Sequence, residues 1–348
     1  MKWKSQRFAA TAAMALTASL VLVGCGSGSS SSTAGAGASS GSAGGDLTVT
    51  LIPKNLGNPY FDTSEAGVKK AISAIGGSYT QVGPQTATPD GQVPFINTAT
   101  QQGTKAIVIS SDDPSAPCDA LKQAMSAGIK VVTFDSDTSP DCRDVFINQA
   151  TSDGIAKVQV DMIAKDIGDS GEVAILSAAA NATNQNAWIA AMKKDLAANH
   201  PNIKLDAVVY GNDDDQTSFD KTSALLQQYP NLKGIISPTT VGIAAAARYL
   251  SKSSAKGKVA LTGLGTPNQM RPFVKDGTVK EFALWNPEDL GYLAAYAAGA
   301  LVDGSITGAE GDSFDAGSLG KYTVGTDGTV LLGKPYVFNK SNIDKFNF

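Results

Sequence analysis

From residue 46 onward, short unbroken apolar runs alternate with stretches whose apolar residues recur every three or four positions. Leu47-Thr-Val-Thr-Leu-Ile52 opens the series, and a helical pattern over 59–75 follows it. Ala106-Ile-Val-Ile109, Val131-Val-Thr-Phe134, Val173-Ala-Ile-Leu176, Ala207-Val-Val-Tyr210, Gly234-Ile-Ile236, Val259-Ala-Leu-Thr262 and Glu281-Phe-Ala-Leu-Trp285 repeat the first theme. A run without polar alternation suits a strand covered on both faces, so these segments predict buried parallel strands. Asn58-Pro59, Thr88-Pro89 and Asn286-Pro287 each place a capping side chain ahead of a proline, the pattern of a helix start. The alternation predicts α/β layers, helices lying on both faces of a parallel sheet. About 300 residues exceed one such sheet, so two lobes are expected, with ligands at the carboxyl ends of the strands. A single α/β barrel is the topological alternative.

The chain ahead of residue 46 reads differently. Lys2, Lys4 and Arg7 precede an apolar, Ala-rich stretch over 9–23 that is short for a bilayer span. An export signal is expected. It runs into Leu22-Val-Gly-Cys25, which resembles a bacterial lipobox, so residues 1–24 are expected to be removed and Cys25 to carry the lipid. Residues 26–45 are Gly, Ser, Ala and Thr throughout. With Cys25 they form a tether, whose coil spans roughly 25 Å.

Composition narrows the function classes. Of 348 residues 42% are hydrophobic, which excludes a disordered chain, and a mean hydropathy of -0.05 excludes a polytopic membrane protein. The net charge is -4. Losing three of 28 cations with residues 1–24 leaves 25 against 32 Asp and Glu, or -7, which argues against a nucleic-acid partner. The one histidine, His200, sits ahead of Pro201 at a predicted helix end and reads as surface. Its isolation weakens metal-site and His-based catalytic readings. With Cys25 lipidated, Cys118 and Cys142 remain. An even pair in an exported chain, without His or carboxylate neighbours at ligand spacing, predicts a disulfide. It would contribute roughly 3 kcal/mol by loop entropy and brace the segment that holds Asp135.

Enzyme signatures are weak. Gly168-Asp-Ser-Gly171 reads as a helix-to-strand turn, and Gly263-Leu-Gly265 lacks the third glycine of a dinucleotide fingerprint. Asn212-Asp-Asp-Asp215 lacks the spaced ligands and closing Glu of a calcium loop and reads as solvated. No phosphate loop is present in the sequence. No catalytic residue, metal or cofactor is therefore expected.

Polar and aromatic residues gather at the predicted strand ends: Pro53-Lys54, Asn58-Pro-Tyr60-Phe61, Asp135-Ser-Asp137, residues 181–188, Pro238-Thr-Thr240, Gly265-Thr266 and Trp285-Asn286. Carboxylates and amides pair with vicinal hydroxyls, and aromatic faces stack on the C–H face of a sugar ring, so the set suits a neutral polyol. Trp188, at helical spacing from Met192, reads as core.

Several of these strings carry a resemblance that spans 46–348: Ile52-Pro-Lys54, Asn58-Pro-Tyr-Phe61, Thr133-Phe-Asp-Ser-Asp-Thr138, Asn184-Gln185 ahead of Trp188, Thr266-Pro-Asn-Gln-Met-Arg-Pro272 and Gly277-Thr-Val-Lys-Glu-Phe-Ala-Leu-Trp285. The chain resembles a type I periplasmic sugar-binding protein, in the branch of rhamnose-binding and autoinducer-2-binding lipoproteins of ABC importers. The resemblance implies two doubly wound, Rossmann-like lobes with parallel sheets, joined by a three-crossover hinge near 148–151, 286–287 and 319–325. One lobe would hold 46–149 plus 287–320, the other 150–286 plus 321–348. Ligand contacts would fall on Lys54, Asn58, Asp135, Asn184, Gln185, Pro238 and Thr240, with Tyr60, Phe61 and Trp285 facing the ring and Asn286 near the hinge.

Departures within that branch bear on the ligand. Autoinducer-2 binders carry Asp-Gln where this chain has Asn184-Gln185, and alanine where it has Thr240. The rhamnose-type pattern, Asn-Ala-Thr-Asn-Gln-Asn over 181–186 and Ser-Pro-Thr-Thr-Val-Gly over 237–242, matches throughout. Ribose-type members place Arg after the aspartate, where Ser136 stands here. L-rhamnose is the expected ligand, with autoinducer-2 or another pentose or hexose as the alternative. The partners implied are a small neutral sugar, an ABC permease with a separate ATPase subunit, and the membrane through the lipid anchor. The protein is expected to be an exported monomer on the extracytoplasmic face of the cell membrane.

Overall fold

The computed structural model describes residues 47–348, so the expected export signal, the lipidated Cys25 and the tether lie outside the described residues. The first part of the chain runs β1 (Leu47–Ile52), α1 (Pro59–Ile75), β2 (Gly77–Gln81), α2 (Val93–Gln102), β3 (Ala106–Ile109), α3 (Cys118–Ser126), β4 (Lys130–Phe134) and β5 (Val145–Asn148). The middle part runs α4 (Ser152–Ile167), β6 (Gly171–Ser177), α5 (Thr183–Asn199), β7 (Ile203–Tyr210), α6 (Asp215–Gln228), β8 (Leu232–Ser237), α7 (Thr240–Ser251), β9 (Ala260–Gly263), α8 (Pro267–Lys275) and β10 (Glu281–Leu284). The last part holds α9 (Pro287–Val302), β11 (Ser313–Asp315), β12 (Lys321–Thr323), β13 (Thr329–Leu331) and β14 (Tyr336–Asn339).

Two parallel sheets result, one in each lobe, with the two-stranded antiparallel pairs β10-β14 and β11-β12 beside them. The first has the order β13-β5-β4-β3-β1-β2 and is parallel throughout. Its central strands are buried on both faces because alternate residues face different cores. Val49, Leu51, Val108 and Val132 pack toward α1 and α9, whereas Ile107, Ile109 and Val131 pack with Ile96 and Leu121 of α2 and α3. The second sheet is parallel in the order β7-β6-β8-β9. The expectation that the Glu281 segment is another parallel strand needs correction. β10 pairs antiparallel with β14 and touches the second sheet through one parallel bridge, Leu264 to Ala283.

The chain leaves the first sheet between Asn148 and Ser152, returns between Leu284 and Pro287, and crosses a third time between Leu331 and Tyr336. The third passage was expected at 319–325. It lies later because the free edge of β5 takes β13, with Thr329 opposite Phe146, before β14 crosses to β10. Residues 329–331 therefore belong to the first sheet, not to the second lobe.

Asn58 and Asn286 cap α1 and α9, accepting from the backbone N–H of Tyr60 at 3.1 Å and of Glu288 at 3.0 Å. Thr88-Pro89 does not open a helix. Gly91 N–H donates to Thr88 O in a turn, and α2 starts at Val93. α1 and α9 approach so closely that a Cβ on Gly67 would meet the carbonyl of Glu288, and one on Gly291 the carbonyl of Ser64.

Cys118 and Cys142 are disulfide-bonded, with Cα atoms 5.2 Å apart. Beside them Arg143 grips Asp137 with two bonds of 2.7 and 2.8 Å and donates to Asp327 O at 2.8 Å. His200, expected on the surface, is mostly covered. Its Nδ1 lies 2.5 Å from Asp169 Oδ1, in the turn after α4 where Gly168-Asp-Ser-Gly171 was expected to turn.

Candidate functional site

Parallel strands of both sheets end at a common cleft, and the loops that follow them carry its polar groups. From the first lobe come Lys54 after β1, Asn58, Tyr60 and Phe61 at the start of α1, and Asp135 after β4. From the second come Asn184, Gln185 and Trp188 of α5, Asp213 after β7, Pro238, Thr239 and Thr240 after β8, Leu264 after β9, and Leu284 and Trp285 at the end of β10. Together these line one cavity of about 40 Å³. Of the expected ligand contacts, only Asn286 is not brought to this wall. Its side chain is spent on the cap of α9.

Asp135 is the hub. It stands in the left-handed region at φ 62°, which places its carboxylate in the cleft, and asparagine and aspartate tolerate that conformation better than other side chains. Ser110 Oγ donates to its Oδ2 at 2.7 Å and Tyr60 Oη to its Oδ1 at 3.0 Å. Trp285 Nε1 in turn donates to Tyr60 Oη at 2.9 Å, fixing the phenol from behind. Burial pushes the Asp135 carboxyl up, opposed by Lys54 and by the hydrogen bonds from Ser110, Tyr60 and Asn184. The Tyr60 phenol is pushed well up by burial and by the neighbouring carboxylate, so it stays a donor.

The two lobes touch directly. Lys54 Nζ donates to Asn184 Oδ1 at 3.1 Å, and Asn184 Nδ2 reaches Asp135 at 3.4 Å. Asn181 Nδ2 donates to Asp112 O at 2.8 Å. Gln185 is locked to its own lobe, its Oε1 accepting from Ser177 Oγ at 3.0 Å and Ala178 N–H at 2.9 Å. An aromatic wall closes one side. Trp285 meets Tyr60 and Trp188 edge-on at centroid distances of 6.2 and 5.9 Å. Trp188, expected as core, is 3% exposed and still contributes to the wall.

Asp213 was missed. The 212–215 run reads as a solvated loop in the sequence, and Asp214 and Asp215 fit that reading by capping α6 and pairing with Arg248. Asp213 instead turns into the cleft and accepts from Thr239 Oγ1. Burial pushes its carboxyl up, with Thr239 and Lys54 opposing and Asp135 reinforcing. The available signal was its place in the loop that leaves a strand, three residues past β7, as Lys54 lies two residues past β1 and Asp135 one past β4. Asp137, grouped with the strand-end residues, serves Arg143 and not the cavity.

The arrangement offers acceptors, amide donors, one ammonium and a ring-sized aromatic wall, which together can hold a polyhydroxylated ring. A periplasmic binding protein domain matches residues 49–306. The chain belongs to the periplasmic binding protein family. A sugar ABC transporter structure from Actinomyces odontolyticus is 55% identical, with 87% of this chain and 98% of that one covered and a TM-score of 0.71. An ABC transporter solute-binding protein from Clostridium phytofermentas with bound L-rhamnose is 41% identical, with 86% and 98% covered and a TM-score of 0.84. LsrB from Clostridium saccharobutylicum in complex with AI-2 is 27% identical, with 87% and 100% covered and a TM-score of 0.83. This is a solute-binding protein of a sugar ABC importer, and not an enzyme. Membership in this family places it outside the cytoplasm. Among the described residues no helix is long and apolar enough to cross a membrane.

Proposed function

We propose that this binding protein captures L-rhamnose between its lobes and delivers it to the permease of its importer. The observation that carries the reading is the 41%-identical relative with L-rhamnose bound, which aligns over nearly its whole length. Two pocket positions agree with it. Asn184 supplies an amide that bridges Lys54 and Asp135, and Thr240 adds a hydroxyl to the cavity wall. In this reading Lys54, Asp135, Asn184, Asp213 and Thr240 hold hydroxyls while Tyr60, Phe61 and Trp285 face the ring. Because the sugar touches both lobes only when the cleft is shut, it binds that state better and draws the population toward it. The three chain crossings act as the hinge, and the protein works as a monomer held to the membrane by lipid on Cys25.

Titration calorimetry with L-rhamnose, autoinducer-2, D-ribose and D-arabinose tests the ligand. L-rhamnose is expected to bind most tightly and, at a hundredfold excess over Kd, to stabilise the fold by about 2.7 kcal/mol. Silence toward L-rhamnose beside saturable heat with autoinducer-2 would move the ligand to the alternative reading. Labelling with radioactive palmitate in cells, lost on Cys25→Ser, tests the anchor.

A further inference from the structure

Asp112, on the loop after β3, is 3% exposed and stands outside the wall of the sugar cavity. Its backbone is well held. Gln92 Oε1 accepts from its N–H at 2.9 Å, and its carbonyl accepts from Asn181 of the opposite lobe at 2.8 Å. Its carboxyl lacks such support, because Oδ2 is buried with no hydrogen-bond partner among the described residues. The charged groups that face it come from four places: Lys54 after β1, Asp135 after β4, Asp213 after β7 and Asp113 beside it. Three of these carboxyls, Asp112, Asp135 and Asp213, thus share one ammonium that already donates to Asn184, while Asp113 accepts from the N–H groups of Ser115 and Ala116. Asp135 and Asp213 have hydrogen-bond donors to soften their burial, whereas Asp112 Oδ2 has none. An ionised carboxylate left buried and unpaired is strongly disfavoured, while a neutral carboxylic acid is tolerated.

We propose that Asp112 takes up a proton when the cleft closes, so that sugar capture is coupled to protonation of the protein. In the shut form burial, opposed by Lys54 and reinforced by Asp213, Asp113 and Asp135, pushes this carboxyl up to about 8. On opening, Asn181 and Asp213 withdraw with the second lobe, water reaches the side chain, and it titrates in the ordinary carboxylate range. The sign follows. Between those two ranges the shut form holds more protons than the open one. Affinity is therefore greatest on the acid side and declines as pH rises toward about 8, by up to about tenfold per pH unit. Above that it levels, because both forms are ionised. The coupling rests on the closure of the cleft around its sugar set out above.

Calorimetry of the purified protein with L-rhamnose at pH 6.5, in buffers of low and high ionisation enthalpy, counts the protons. Uptake of close to one proton per sugar is expected, with affinity falling at least tenfold between pH 5.5 and 8. Asp112→Asn should still bind, with little uptake and a flat pH profile. Asn181→Ala, which uncovers Asp112 without altering it, should reduce the uptake. No net uptake in the wild-type protein, or undiminished uptake in Asp112→Asn, overturns the proposal. If L-rhamnose gives no heat, the ligand assignment fails, and the same count is made with whichever of D-ribose, D-arabinose or autoinducer-2 binds. The two proposals therefore fall separately.

Discussion

Lys54 of the first lobe donates to Asn184 of the second at 3.1 Å, and the same amide turns its other end toward Asp135. An amide can accept from an ammonium and donate to a carboxylate at once, whereas an ionised carboxylate can only accept. Asn184→Asp keeps the partner for Lys54 but sets a second carboxylate 3.4 Å from Asp135, so the cleft gains a repulsion that a proton or a different ligand must relieve. The expected outcome is a loss of at least tenfold in L-rhamnose affinity and a gain toward autoinducer-2, read by calorimetry against both ligands. Unchanged preference would remove position 184 from ligand selection.

Asp135→Asn separates charge from shape. The amide fits the left-handed backbone at φ 62° and the same volume, but it cannot accept from both Ser110 and Tyr60 as the carboxylate does. A sugar hydroxyl that donates to the carboxylate loses a charged hydrogen bond, about 1.5–3 kcal/mol, so sugar affinity should drop by more than tenfold. Thermal stability of the sugar-free protein should change little, because relief of a buried carboxylate offsets the weakened bonds from Ser110 and Tyr60. A large fall in stability with intact binding would make Asp135 a structural residue.

The strand ends that build the site were legible because a buried parallel strand advertises itself as an unbroken apolar run, and whatever polar residue follows it must leave the core. Lys54 and Asp135 were found that way. Asp213 follows β7 in the same manner, but it lies in a run of acids whose other members are solvated, and the run masked it. β2, Gly77–Gln81, is a polar edge strand, and β13 is three residues long, so neither carries a periodicity to detect. Missing β13 is what displaced the third crossing. Asn286 reads in the sequence both as the cap ahead of Pro287 and as a hinge-side contact, and the structure shows its side chain on the cap.

Gly67 and Gly291 make a prediction about the packing that supports the hinge. Neither has room for a Cβ, since each faces a backbone carbonyl of the other helix. Gly67→Ala or Gly291→Ala must push α1 from α9, and overpacking of this kind costs about 1–3 kcal/mol. Urea unfolding should show a lower midpoint for either variant. Because α1 also carries Asn58, Tyr60 and Phe61 into the cavity, sugar affinity should weaken as well. A variant with wild-type stability would mean that the helices separate freely.

The disulfide and the Arg143–Asp137 pair act on the same short segment, from the end of β4 to the start of β5, and they fail in different ways. Cys118–Cys142 closes a loop of sequence separation 24, and its loss is expected to lower stability by about 3 kcal/mol, mainly through the unfolded chain. The native loop would remain held, because Arg143 still grips Asp137 and reaches Asp327 O. Sugar affinity after reduction should therefore stay within about threefold of wild type, about 0.7 kcal/mol. Arg143→Ala has the reverse character. It leaves the Asp137 carboxylate unpaired beside a mostly buried site and frees the contact to Asp327, ahead of β13, so both stability and affinity should fall. Urea unfolding with and without reductant, paired with calorimetry on both forms, checks the distinction. Reduction that abolishes binding while Arg143→Ala spares it would reverse the assignment.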